Sequence, residues 1–462
     1  MVVSTILPGI FIFALTGILH RWRIGILLVL SAAAVCWLQP DLPAAILSGV
    51  FPLLSILLVI LTWMIVRPSD SVHPGSLLFL AVGLIAGMVA MKPENLPSLR
   101  QTSAVVILGV GTLTGFSQFV RDDTARRKQS AGMLILVMIA LLLILKYPPA
   151  AIFFSQLIQS AAGEESINAG ISDLQWIGIS YIVLRLIAVL IDFRKDQLPA
   201  LSLEELLIFT LFPASLLAGP IDRAQRFAAD LRNPAALDSA RVLYCGKRIA
   251  SGLIKKFVMA DALALVALSA DIAPDTKGIF GAWIIAYIYA FQIFFDFSGY
   301  SDIAIGIGGL VGIDLPENFD RPYLRQNLSQ FWQNWHMSLT TWFRAYCFVP
   351  FSRWMLRRKI PVSDYFIAQV VTMALIGLWH GVTVNFILWG LWHALGLYAH
   401  RLLASRTRSW YLRVRQRTWA NRLIYAGGVL ATFHFVVMGW VFFALPDPAM
   451  SFDYLQKMFG IA

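Results

Sequence analysis

Charge is the first thing this chain has little of. Only 14% of its 462 residues are Asp, Glu, Lys or Arg, against about a quarter in a soluble globular chain. With 58% hydrophobic residues and a mean hydropathy of +0.71, this deficit excludes an ordinary soluble domain and leaves a polytopic membrane protein. Cysteine is scarce too. Cys36, Cys245 and Cys347 are widely spaced and odd in number, which supports neither a disulfide framework nor a metal knot. The most basic segment lacks acid: residues 401–422 hold seven arginines and no Asp or Glu, and residues 353–359 and 121–128, the latter with Asp122 and Asp123, are the next densest. Such segments face the cytoplasm by the positive-inside rule. Between apolar runs this closely spaced, a nucleic-acid partner is not expected.

Several catalytic signatures are also missing. No Gly-x-Ser-x-Gly elbow is present, so a serine nucleophile has no support. His-Glu-x-x-His is absent and no acid stands at ligand spacing from the histidines, so no metal site is expected. No Walker or dinucleotide fingerprint occurs, so no bound nucleotide cofactor is expected. The first apolar run, residues 6–19, has no small-residue cleavage pattern after it and reads as a retained span.

What is present is a succession of apolar runs: 3–19, 24–38, 43–66, 75–91, 103–120, 131–147, 172–191, 203–219, 257–273, 278–297, 364–380, 383–400 and 423–445. They predict an all-α integral membrane protein of about eleven to thirteen transmembrane or re-entrant helices. The first third carries no chemical signal, and its His20 and His73 read as loop histidines. The loop over 148–175 holds Glu164, Glu165 and Asp173 but no base, which fits an extracytoplasmic face.

Beyond that loop the chain becomes specific. Tyr181 and Arg185 are four residues apart and share a helix face. Gly219-Pro220 ends a span, and residues 222–232 and 241–256 read as amphipathic segments in the interface plane. Residues 292–302 place Asp296, Tyr300 and Asp302 around Gly299, with Gly306, Gly308, Gly309 and Gly312 following. That density of glycine predicts a broken or re-entrant element lining a cavity.

Residues 331–344 then pack Trp332, Asn334, Trp335, His336, Ser338, Trp342 and Arg344 into one run, and a second histidine follows in Trp379-His380-Gly381. Ionisable groups at membrane depth are costly and mark function unless a structural partner explains them. Two histidines, each beside tryptophan, point to a shared reaction centre at His336 and His380. His393 stands between packing and support of that centre, and His434 reads as structural. Imidazole can take a proton from a hydroxyl attacking an acyl carbon. It can also relay protons in a transporter or flippase of an envelope precursor. The transporter reading calls for paired broken helices in two inverted halves, and only the region near 299–312 has that character.

Residues 145–147, 178–181, 219–223, 295–302, 316–319, 331–344 and 377–381 occur in an order that resembles the membrane-bound O-acyltransferases. The similarity lies with the bacterial branch that D-alanylates teichoic acid or O-acetylates alginate, and it covers roughly residues 134–458. It implies tilted helices ringed around a central tunnel, with residues 131–462 as the acyltransferase core and 1–130 as N-terminal helices. It further implies that His380 is the catalytic histidine and His336 its partner. Trp335, Ser338, Trp379, Asn334, Asp296, Tyr300, His393 and Arg344 are candidates to line the tunnel. The implied donor is a thioester on the cytoplasmic side, either an acyl carrier protein with phosphopantetheine or acetyl-CoA. The implied acceptor is a hydroxyl of an extracytoplasmic polysaccharide or teichoic-type polymer, with an extracytoplasmic partner protein where one completes the transfer. A multi-pass location in the bacterial inner membrane follows. The chain departs from the branch at Ala345, where an acid usually follows the arginine of Trp-Phe-Arg.

Overall fold

A computed structural model describes residues 22–39, 45–67, 123–162, 174–359, 364–414 and 416–461. The expected spans 3–19, 75–91 and 103–120, with His20, His73, Glu164, Glu165 and Asp173, lie outside the described residues. The protein is an all-α membrane protein. Among the described residues the one β-type pairing is an isolated bridge between Phe319 and Trp335.

Two compact units divide the chain, residues 1–246 with 304–315, and residues 247–303 with 316–462. In the first, α1 (Arg23–Trp37), α2 (Ala45–Val66), α3 (Thr124–Lys146), α4 (Pro148–Ala162), α5 (Ile179–Arg194), α6 (Leu203–Leu211) and α7 (Ala224–Arg232) follow in order. Asp123 caps α3 by accepting from the amides of Ala125 and Arg126. Ser202 and Glu205 form a reciprocal capping box at the start of α6. Met133, Leu136, Val137 and Leu143 of α3 are exposed, the apolar outer surface that a lipid-facing helix presents.

The span expected over 203–219 is corrected by the structure. α6 stops at Leu211 because Pro213 forces Phe212 out of helical geometry, to φ −55° and ψ 114°. Arg185 of α5, almost fully buried, takes up the carbonyl groups this break releases. Its guanidinium donates to the Thr210 carbonyl at 2.8 Å, the Ser215 carbonyl at 2.6 Å and Ser215 Oγ at 2.7 Å. Arg185→Leu would strand these buried acceptors at about 1–3 kcal/mol each. A melting temperature several degrees lower in detergent is expected, and an unchanged one would contradict this account.

α8 (Ser239–Leu253) runs on as a π-helix over Ile254–Ala260, and α9 (Gly278–Leu310) is 33 residues long. Two expectations change here. The predicted span over 257–273 is broken into the π turn, a helical turn at Asp261–Ala264 and a short helix at Ile272–Asp275. The polar residues Asp261, Ser269 and Asp271 fall where a membrane span would have to continue.

The second correction is to the glycine-rich element. α9 is a continuous helix through Gly299, Gly306, Gly308 and Gly309, neither broken nor re-entrant. The reason for glycine is close approach: a Cβ on Gly299 would lie 2.8 Å from both the Gly252 carbonyl and the Lys256 amide. Around that contact Lys255 pairs with Asp302 at 2.6 Å, Arg248 with Asp302 at 2.7 Å and with Glu317 at 2.8 Å, and Lys256 with Asp296. The basic face of residues 247–256 is thus answered by carboxylates. Gly299→Val should force the two backbones apart and sharply reduce the yield of monodisperse protein, with Gly299→Ala intermediate.

The second unit continues with α10 (Leu328–Asn334), α11 (Met337–Phe343), a π-helix over Arg344–Phe348, α12 (Val349–Arg357), α13 (Asp364–His380), α14 (Val384–Val414), α15 (Thr418–Ala444) and α16 (Pro448–Phe459). Among the described helices, α3, α9 and α15 are long and apolar enough to cross a membrane. The basic residues Arg353, Arg357, Arg358 and Lys359 at the end of α12 are exposed, as are Arg401, Arg406 and Arg408 on α14.

Candidate functional site

His336 is the second residue of the two-residue gap between two seven-residue helices. Trp335 ends α10 in an extended conformation, His336 takes φ 45° and ψ 53°, and α11 begins at Met337. A left-handed backbone at a residue with a Cβ is uncommon, and such conformers persist where surrounding contacts over-determine them. The turn is buried: His336 is 2% exposed. Its carbonyl accepts from the Thr340 amide at 3.0 Å. Neither ring nitrogen has a hydrogen-bond partner among the described residues. Phe297 of α9 meets the imidazole edge-on at 4.5 Å between centroids.

His380 is the last residue of α13 and is half-buried. The α13–α14 hairpin behind it closes tightly, since a Cβ on Gly377 would collide with the Phe386 carbonyl. Glycine there lets α14 bring Phe386 and Trp389 against the histidine, at 6.0 Å and 5.5 Å, while α15 supplies Phe443 at 4.9 Å. The Trp379 ring lies 4.8 Å from His380 and 6.3 Å from His336. His380 is also near enough to His336 to act on it electrostatically. Two imidazoles some 44 residues apart in sequence therefore share one aromatic wall.

Residues 127–445, which include all of these groups, match the membrane-bound O-acyltransferase family. The chain belongs to that family. It is 33% identical over 282 residues to the teichoic acid D-alanyltransferase of Bacillus subtilis, covering 59% of this chain and 69% of that protein. To the "Probable alginate O-acetylase AlgI" of Pseudomonas syringae it is 35% identical over 295 residues, covering 61% and 53%. The peptidoglycan O-acetyltransferase of Helicobacter pylori is 30% identical over 257 residues, covering 55% and 46%. The chain spans about half the length of these last two relatives. As a membrane-bound O-acyltransferase it is an enzyme of acyl transfer, and the transporter reading is set aside.

The other sequence candidates divide by their surroundings. Trp379 is part of the site wall. Trp335, 4% exposed, belongs to a ring cluster with Phe319 at 5.1 Å, Tyr323 at 5.5 Å and Trp440 at 5.0 Å. It braces the turn from behind. Ser338 donates its hydroxyl to Asn318 Oδ1 at 2.6 Å, and Asn334 accepts from Arg325 at 2.9 Å while donating to the Gln330 carbonyl at 2.7 Å. Asn334 is thereby committed to structure. Asp296 is committed to Lys256. Tyr300 is half-buried on α9, and Arg344 is exposed where the π-helix begins, one residue before Ala345.

His393 is fully buried, with Trp332 and Trp389 each at 5.1 Å. Trp389 touches both His393 and His380, so His393 stands one ring behind the site. Its ring nitrogens also lack partners among the described residues. His434 bridges Tyr287 Oη and the Leu430 carbonyl, at 2.8 Å and 2.7 Å, the structural role expected of it. Sequence reasoning assigned no role to Phe297, Asn318, Trp389 or Phe443. The Pro316-Glu317-Asn318-Phe319 motif was the one available signal for Asn318, whereas the aromatics are ordinary residues of apolar runs.

Proposed function

We propose that the protein moves an acyl group, D-alanyl or acetyl, from a cytoplasmic thioester donor to a hydroxyl of an extracytoplasmic envelope polymer, using His336 and His380. The observation that carries this reading is the meeting of the two histidines at Trp379, with both nitrogens of His336 unengaged by the described protein groups. A buried polar atom without a protein partner fits a place where substrate supplies the missing bond. The names of the relatives supply the two acyl groups and the polymer class.

In the proposed step an imidazole nitrogen takes the acceptor's hydroxyl proton while the oxygen attacks the thioester carbonyl. The new C–O bond forms, the C–S bond breaks, and the imidazolium returns the proton to the leaving thiolate. No acyl-enzyme intermediate is needed. The aromatic wall excludes water, which would otherwise hydrolyse the thioester. The exposed basic ends of α12 and α14 suit a cytoplasmic face, where an anionic carrier or coenzyme would arrive; the location is then the bacterial inner membrane.

The test is mass spectrometry of base-labile esters on envelope polymers from cells with and without the protein. Loss of O-linked D-alanine or O-acetyl on deletion, restored by the wild-type chain, is the expected result. Identical ester content in both strains would end the proposal.

A further inference from the structure

The turn carrying His336 has no covalent reason to hold a left-handed backbone, and the imidazole itself makes no hydrogen bond to the described protein groups that would anchor it. What fixes it lies in the loop at 318–320. The Asp320 amide donates to the Asn334 carbonyl at 3.1 Å, and Phe319 bridges Trp335. On the other side of the histidine, the Met337 amide donates to the Asn318 carbonyl at 3.0 Å. The Ser338 amide and hydroxyl both donate to Asn318 Oδ1, at 3.2 Å and 2.6 Å. The residues immediately flanking His336 are therefore all held by one short loop, and the densest part of that hold is Asn318, which is fully buried.

The same side chain reaches the opposite wall. Asn318 Nδ2 donates to Ser301 Oγ at 3.2 Å. Ser301 lies one helical turn beyond Phe297 on α9, so the two share a face, and Phe297 is the ring packed on His336. The amide thus joins the backbone that carries the imidazole to the helix that supports its edge. An amide does this without bringing a charge into the buried turn. A carboxylate would accept from Ser338 and could accept from the Ser301 hydroxyl, but it would bury a charge in the turn, and an aliphatic side chain would leave the Ser338 hydroxyl and amide without this buried acceptor.

We propose that Asn318 is a positioning residue for acyl transfer, fixing the left-handed turn and the Phe297 wall that together aim the His336 imidazole. The inference rests on the reading of His336 as a proton-transfer group. Asn318 touches neither ring nitrogen in this arrangement, so its effect runs through geometry and not through the identity of the base.

The experiment uses membrane vesicles containing the full chain, supplied with [14C]acetyl-coenzyme A or D-[14C]alanyl carrier protein, whichever the wild type accepts. Base-labile label on polymer is counted over a range of donor concentrations and normalised to monodisperse protein recovered in detergent. Misplacing a reacting group by an ångström costs up to about 100-fold, so Asn318→Ala should lower kcat roughly 10- to 100-fold while KM for the donor stays within about twofold. Asn318→Asp should lose activity too, because it places a charge at a fully buried position of the turn. A kcat within about twofold of wild type per folded protein, or a loss confined to KM, overturns the proposal. Should Asn318→Ala fail to fold, Ser338→Ala, which removes one donated hydrogen bond, is measured in the same way. A smaller kcat loss at constant KM is then expected, and an unchanged kcat overturns the proposal. His336→Gln is run alongside: if it keeps wild-type kcat, the reading of His336 has failed. If it is inactive while Asn318→Ala is active, the positioning inference alone has failed.

Discussion

Replacing His380 with alanine is expected to abolish polymer acylation while the protein still inserts and folds. Alanine is the best helix former, and position 380 is the last residue of α13, so the substitution costs the helix little. The imidazole packs against Trp379, Trp389 and Phe443, but the side chain is only half-buried, so its removal opens no sealed cavity. The chemical loss is far larger, since general acid–base assistance contributes about 10²–10⁴-fold. Acyl ester on the polymer should fall to the level of cells lacking the protein, with an unaltered elution profile in detergent. Normal acylation by this variant would remove His380 from the reaction.

The second large effect is expected at His336, where backbone and imidazole can be separated. Glycine adopts φ 45° without strain and asparagine tolerates it better than most residues. His336→Gly and His336→Asn should therefore keep the turn between α10 and α11, and the melting temperature should stay close to wild type. Activity should nevertheless drop by about 10²–10⁴-fold, as for loss of a proton-transfer group. Free imidazole added to His336→Gly should restore part of the rate by entering the space beside Phe297. A glycine variant that is fully active without imidazole would show that only the turn matters. One that melts far below wild type would show that the ring is chiefly packing.

The comparison of Gly299 with His336 shows how sequence and structure divide the problem. From sequence, glycine in 299–312 suggested a broken helix, because periodicity reports helix weakness but not the partner that compensates for it. The structure supplies that partner in the backbone of Gly252 and Lys256. Asp296 was a candidate for the same reason: a carboxylate in an apolar run is suspicious until a lysine forty residues earlier is found beside it. Pro213, by contrast, was a local signal that the hydropathy of 203–219 masked.

Composition and the long apolar runs determined that this is an all-α membrane protein, because backbone in lipid is satisfied only in helices or closed barrels, and continuous apolar runs such as 131–145 lack the short alternating pattern of barrel strands. The two histidines were also legible, since ionisable groups in apolar runs are individually conspicuous, and ordered motifs carried the family. Tertiary structure decided which of the flanking residues serve those histidines. Only folding brings Phe297, Trp379, Trp389 and Phe443 around them, sends Asp296 and Asn334 to other partners, and sets Asn318 across the turn. Most of those choices depend on residues brought together from distant parts of the chain, and no local pattern of side chains encodes such contacts.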